Sequence, residues 1–171
     1  MFLDKYLTET PSIDYMNPHI QEKVCELKNQ SSDEADYIKR CYFFVRDEIP
    51  HSWDIGVNTV SRTASEALIN KTGICWAKSC LLAALLRANG IPSGISYQLL
   101  TIAEDDSQGH MVHALNTVFN GDKWIRIDAR EIWATAMQNL VWIKTSWLFR
   151  FERNLVKLII WTIMLIWMKD W

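Results

Sequence analysis

The stretch from Thr72 to Pro92 restricts the fold more than any other part of the chain. Leu81, Leu82, Leu85 and Leu86 recur at helical spacing, with Ala77, Ala83, Ala84 and Ala88 among them. Small residues at such positions let neighbouring elements approach closely. Asn89-Gly90 supplies a C-terminal stop, and Pro92 lies just beyond it. The stretch therefore predicts one buried helix against which the other elements pack. Gly73 is expected to let the chain turn tightly into that helix, which puts Cys75 in or just before the first turn. A thiol there meets unpaired backbone N–H groups and the positive end of the helix dipole, and both favour thiolate. Most single cysteines are small core residues. The position at a helix start after glycine sets a reactive thiol beside that ordinary reading.

A chain of 171 residues can enclose one real core. Its formal net charge of -2 gives no argument for nucleic acid or for an anionic membrane. The four cysteines contain no C-x-x-C pair, so no zinc or other metal site is expected; nor is a cofactor. They read as reduced thiols of a cytosolic protein. Met1-Phe2-Leu3-Asp4-Lys5 is interrupted at once by charge, which is unlike a leader peptide. A cytoplasmic location is the resulting expectation.

Residues 1–16 are mixed and expected to be extended. Asn17-Pro18 looks like an N-cap followed by proline at the first helical position. Ile20, Val24 and Leu27 continue that helix on one face, with Cys25 beside them, and Asn29-Gln30-Ser31 ends it. Ser31 and Glu34 form a capping box for a second helix, which carries Ile38, Cys41, Tyr42 and Val45 inward and stops before Pro50. Cys25 and Cys41 are both expected in the core. His51 falls in an aromatic loop over 51–58, where an ordinary loop histidine is the stronger reading and an approach to a site the weaker. Thr63 and Glu66 make another capping box, for a short helix through Ala67, Leu68 and Ile69.

Beyond Pro92, residues 94–102 have strand-like content and 103–109 form a polar, acidic loop. Two further apolar runs, 113–119 and 123–127, flank Asn120-Gly121-Asp122, a strong hairpin signal. With Asn120-Gly121 as a two-residue loop, Phe119 pairs with Asp122, and His113 falls opposite Asp128. Directly opposed residues share a face with Cβ atoms roughly 5 Å apart, so an imidazole and a carboxylate can bond there. His110 lies three residues earlier and takes the other face. An incidental pair on a solvated sheet face is the plain alternative.

With Cys75 the set is Cys, His and Asp in chain order. A thiol nucleophile, an imidazole that takes its proton and a carboxylate that orients the imidazole are the parts acyl transfer needs. The backbone N–H of Cys75 could help bind the oxyanion. Gly73-x-Cys75-Trp76, Leu81-Leu82-x-Ala84-Leu85-Leu86-Arg87-Ala88-x-Gly90-Ile91-Pro92, His113-Ala114 and Trp124-Ile125-Arg126-Ile127-Asp128-Ala129-Arg130 together resemble the transglutaminase-like superfamily, in its bacterial forms. These are papain-like cysteine enzymes that include transglutaminases, microbial cysteine proteases and peptide N-glycanases. Tyr42 to Pro50 is similar to the family's segment upstream of the nucleophile. The resemblance covers roughly residues 10–130. It implies an α+β fold: helices first, the cysteine on a central helix, then an antiparallel sheet bearing His and Asp. By matching position it implies Cys75 as nucleophile, His113 as general base and acid, and Asp128 as orienting carboxylate. It implies a cysteine hydrolase or acyltransferase working through a thioester on amide or acyl substrates. The family's substrates vary widely, so the resemblance does not fix the substrate, and a protein or peptide is the expectation. Some members have lost activity, so a binding or scaffold domain that keeps the fold is the alternative.

The pattern stops after Arg130, so residues 1–130 read as a transglutaminase-like domain truncated at its C-terminal end. Residues 131–171 hold six of the nine tryptophans and no glycine or proline. Related sequences look as if they continue with Gly-Asn; loss of one G from GGA-AAT would give Glu then Ile, as in Glu131-Ile132. An out-of-frame C-terminus is the leading expectation for this tail, a buried helix the second and membrane association the third. The apolar run 158–168 falls short of the ~20 residues of a bilayer span, although flanking Lys157, Arg153 and Arg150 would suit an interfacial helix.

Overall fold

In a computed structural model, which describes residues 3–101 and 110–130, four helices precede three strands. The helices are α1 (Pro18–Asn29), α2 (Glu34–Glu48), α3 (Ala64–Asn70) and α4 (Cys75–Ala88); the strands are β1 (Ser93–Thr101), β2 (His110–Phe119) and β3 (Trp124–Ile127). The sheet is antiparallel in the order β1-β2-β3. This is the expected α+β arrangement. The N-terminal segment differs from the expectation: Asp4–Tyr6 is a turn of 3-10 helix, and Thr10 and Ile13 form an isolated bridge. The acidic loop 103–109 and the Trp-rich tail lie outside the described residues.

The helix ends follow local chemistry. Asn17 accepts from the backbone N–H of His19, and Pro18 follows at the first helical position. At α2 the cap is Asp33, not Ser31: Asp33 accepts from the N–H of Asp36, and Asp36 accepts from the N–H of Ser32. Ser31 instead donates to the carbonyl of Leu27 at the end of α1. Asp33 thus caps the helix two residues later than Ser31 would, and Asp36 reaches back to the N–H before the cap. Thr63 caps α3 through the N–H of Glu66, whose carboxylate reaches Arg62 N–H.

α4 is the centre of the molecule. It touches α1, α2, α3, β1 and β2, and Ala77 and Cys80 through Leu86 are fully or almost fully buried. A helix apolar all round has to be enclosed. Its two buried cations are satisfied by carbonyls: Lys78 Nζ donates to Arg46 O and Ile49 O, and Arg87 donates to Ser93 O (2.8 Å) and Thr8 O (2.7 Å). Tyr37 of α2 donates to Leu85 O at 2.8 Å. Gly90 takes φ +78°, and Ile91 N–H returns to Leu86 O, which closes the helix as Asn89-Gly90 foretold. Cys41 is buried as expected, but Cys25 is exposed. Ile20, Val24 and Leu27 take the inward stripe of α1, and a residue one position after Val24 is rotated away from it. Among the described residues, no helix is long and apolar enough to cross a membrane.

The β2–β3 hairpin departs from the two-residue loop. The ladder pairs Phe119 with Trp124 and ends at Asn116 with Ile127. A type I′ turn needs positive φ at both Asn120 and Gly121, and of those two only Gly121 (φ +88°) has it. Asn120 instead accepts from the N–H groups of Asp122 and Lys123, and its own N–H donates to Lys123 O, so the loop widens to four residues. The register moves by two residues. A shift of two keeps every side chain on its face, whereas a shift of one would reverse them all.

Candidate active site

Three segments meet at the N-terminal end of α4. Cys75 is the first residue of the helix, and the preceding Ile74 is extended and supplies no side-chain cap. The glycine before it serves a closer purpose than a tight turn: a Cβ on Gly73 would come within 2.8 Å of Ala77 Cβ. Gly73 also forms an isolated parallel bridge with His51, with Ser52 N–H donating to Gly73 O and Gly73 N–H to Pro50 O. That bridge ties the segment after α2 to the segment entering α4. Thr72 Oγ1, donating to Pro50 O at 3.0 Å, fastens the same pair of segments.

From the sheet comes His113, fully buried on β2. Its Nε2 lies 2.6 Å from Oδ2 of Asp128, the residue just beyond β3. The other ring nitrogen, Nδ1, has no hydrogen-bond partner of regular geometry and is the one left for sulfur. β2 is held against α4 by Asn116, which donates to Ser79 O at 2.9 Å, while Ser79 Oγ donates to Cys75 O at 2.8 Å. The ladder extends to His110, which therefore takes the face opposite His113, as parity predicts, and is exposed at the start of the strand.

Burial works to raise the Cys75 thiol, but the imidazoles of His113 and His51, the N–H of Ala114 and the charge on His113 outweigh it and bring it down to about 6. His113 moves the opposite way: Asp128 first and the Cys75 sulfur second hold it up at about 9, against a smaller effect of burial. The two shifts together describe a thiolate–imidazolium pair at neutral pH, titrating as a unit. Cys41 and Cys80, by contrast, are pushed up to about 12 by burial. A thiol lowered at a helix start beside a cationic imidazole has the ionisation a nucleophile needs.

His51 departs from the loop-histidine reading. It is 7% exposed, its Nδ1 is 3.9 Å from Oδ1 of Asp54, and it lies close enough to Cys75 to act on the thiol. Asp54 in turn accepts from Arg130 Nη2 at 3.2 Å, and Arg130 N–H donates to Asp128 Oδ1 at 2.9 Å. A chain of contacts thus runs from His113 through Asp128, Arg130 and Asp54 to His51, and its two ends both act on the Cys75 thiol. Nothing local in the sequence marks His51, because its partner Gly73 is distant along the chain. Among the described residues, no group of three or more His, Cys, Asp or Glu side chains is disposed to hold a metal ion.

Comparison with known proteins agrees with this architecture. The family model described as "Transglutaminase-like superfamily" matches residues 21–129, more than half of the chain. No curated protein sequence matches. A solved structure from Cytophaga hutchinsonii, assigned as a cysteine protease, is 18% identical with a TM-score of 0.60 and covers 75% of this chain and 42% of its own. The periplasmic domain of TgpA from Pseudomonas aeruginosa, bound to ethylmercury, is 14% identical with a TM-score of 0.57, covering 74% of this chain and 48% of its own. A structure described as a TGase is 16% identical with a TM-score of 0.50, covering 74% and 35%. At these identities the likeness is one of fold, and the chain spans less than half the length of each of these structures. The fold they share with it is mixed helices and a small antiparallel sheet. The chain belongs to the transglutaminase-like superfamily.

Proposed function

We propose that the protein is a cysteine hydrolase or acyltransferase that acts on amide or acyl substrates through a thioester on Cys75, with His113 as proton carrier and Asp128 as its orienting carboxylate. The observation that carries this reading is the single thiol brought down to about 6 at the start of α4, beside an imidazole held 2.6 Å from a carboxylate. The thiolate attacks the carbonyl carbon, a C–S bond forms, and the C=O electron pair moves onto oxygen. The uncapped first turn of α4 offers backbone N–H groups to that oxygen. His113, protonated, gives its proton from Nδ1 to the departing amine. Asp128, bound at Nε2, keeps the ring oriented and favours the imidazolium. Water or an amine then attacks the thioester, with His113 now accepting the proton.

A protein or peptide substrate suits the surroundings. Trp53 is 84% exposed, and Ile55, Val57, Val60 and Ile74 are exposed too, on the segments that carry His51 and Cys75. Apolar side chains shown to solvent on the segments flanking a nucleophile suit an extended chain better than a small polar molecule.

The test uses p-nitrophenyl acetate as a generic acyl donor. The expected result is a burst of p-nitrophenol and an acetyl group on Cys75, found by peptide mass spectrometry and absent from the His113→Ala variant. Release no faster than in buffer, with no adduct on Cys75 of the folded protein, would leave a fold without turnover and overturn the reading.

A further inference from the structure

We infer that His51 is a fourth functional residue of the site, donating from Nε2 to the oxyanion that forms on the substrate carbonyl when Cys75 attacks. The inference rests on the thiol chemistry proposed above.

His51 is nine-tenths buried, yet neither ring nitrogen has a hydrogen-bond partner of regular geometry. The large majority of buried side-chain polar atoms do have partners, and one left without a partner carries the cost of its lost hydration. A histidine serving only the core would be placed where its nitrogens are satisfied. His51 is instead held in position by backbone: the parallel bridge to Gly73, the Ser52-to-Gly73 hydrogen bond, and a tight turn in which Asp54 N–H donates to His51 O at 2.9 Å. That frame fixes it beside the residue two positions before Cys75. Nδ1 is the nitrogen nearer Asp54, at 3.9 Å, which leaves Nε2 for the sulfur side.

The two imidazoles at Cys75 therefore have different surroundings. His113 has a carboxylate in contact at 2.6 Å and is built to hold and hand over a proton. His51 has its nearest carboxylate beyond hydrogen-bonding distance, and that carboxylate is already engaged by Arg130 at 3.2 Å. An imidazole fixed by backbone beside the nucleophile, with no regular hydrogen bond and only the sulfur to act on, has the properties of an oxyanion contact, which acts where charge develops. As Cys75 attacks, the carbonyl oxygen gains the electron pair of the broken π bond. Nε2–H of His51 and the N–H groups at the start of α4 donate to it, and the pair returns when the leaving group departs.

The experiment compares two reactions of Cys75 in wild type, His51→Ala and His51→Gln. Acylation by p-nitrophenyl acetate passes through an oxyanion. Alkylation by iodoacetamide displaces iodide and forms none. With alkylation read on its high-pH plateau, where the thiol is fully ionised, His51→Ala is expected to slow acylation by about 10²–10³-fold and to leave alkylation unchanged. Glutamine, which keeps a donor, should recover roughly tenfold of the loss. Thermal melts of all three proteins report folding. Equal losses in both reactions, or no loss in either, would overturn the oxyanion role while leaving the thiol chemistry intact. A wild-type protein that alkylates but does not acylate would overturn both.

Discussion

Asp128 reaches His113 diagonally across the hairpin. The last ladder pair is Asn116 with Ile127; Asp128 follows Ile127 by one residue, His113 precedes Asn116 by three, and Nε2 and Oδ2 are 2.6 Å apart. Diagonal neighbours on one face of an antiparallel pair are near enough for long side chains to meet. The other carboxylate oxygen is taken by Arg130 N–H at 2.9 Å, so the carboxylate is held at both ends.

Removing that charge should move His113 in a known direction. Asp128 is the largest cause of the elevated His113 value near 9, so Asp128→Asn is expected to lower the alkaline limb of the acylation profile toward ordinary histidine, about 6.5. The rate should fall by about 100-fold or more. The sign for stability is the same. A histidine raised in the folded state contributes fully below about 6.5, and the contribution is lost as pH rises through about 9. Urea denaturation at pH 6 and pH 10 in wild type and variant measures it.

The wild-type profile should itself be bell-shaped. Acylation requires Cys75 ionised, which occurs as pH rises through about 6. It also requires His113 protonated, which ends near 9. Stopped-flow rates with p-nitrophenyl acetate between these limits should be flat and fall on both sides. A single sigmoid rising near the ordinary thiol value would contradict the pairing.

Gly73→Ala should disturb the site through packing alone. The added methyl would meet Ala77 Cβ at 2.8 Å, an overpacking that costs about 1–3 kcal/mol. Because Gly73 also bridges His51, whose imidazole helps to lower the Cys75 thiol, alkylation of Cys75 at pH 7 should slow as well. In the double variant Gly73→Ala/Ala77→Gly the clash is gone, and only the cost of a helical glycine, about 1 kcal/mol, should remain. Additive losses in that cycle would argue against the contact.

Lys78→Met should destabilise the fold by about 1–3 kcal/mol. Lys78 is buried in α4, and its ammonium serves the carbonyls of Arg46 and Ile49 where α2 ends. Burial brings the group down to about 8. Methionine fills the same space without the donor and leaves those carbonyls unmet, just before the segment that carries His51. Chemical denaturation reads the loss.

The parts legible in the sequence were those that local pattern controls. α4 followed from leucine spacing and from Asn89-Gly90, and the common face of His113 and Asp128 followed from parity, which a register error of two residues left intact. The error came from Asn120, whose side chain made an Asx-type turn in place of a left-handed backbone. The cap at Asp33 was missed because four polar residues in succession offer several equivalent boxes. His51 was hidden for another reason. Its burial comes from pairing with Gly73, a contact between segments separated by the whole of α3, and no spacing rule reaches that far.

Iodoacetamide labelling of the four cysteines at pH 7 tests the central claim most directly, because exposure and electrostatics order them oppositely. Cys25 is exposed, whereas Cys75 is half-buried, and Cys41 and Cys80 are buried. If the start of α4 and His113 hold Cys75 as thiolate, peptide mass spectrometry should find Cys75 alkylated first, ahead of the more accessible Cys25, and this lead should vanish in His113→Ala. Cys25 modified first, with Cys75 no faster in wild type than in the variant, would contradict an activated thiol at this site.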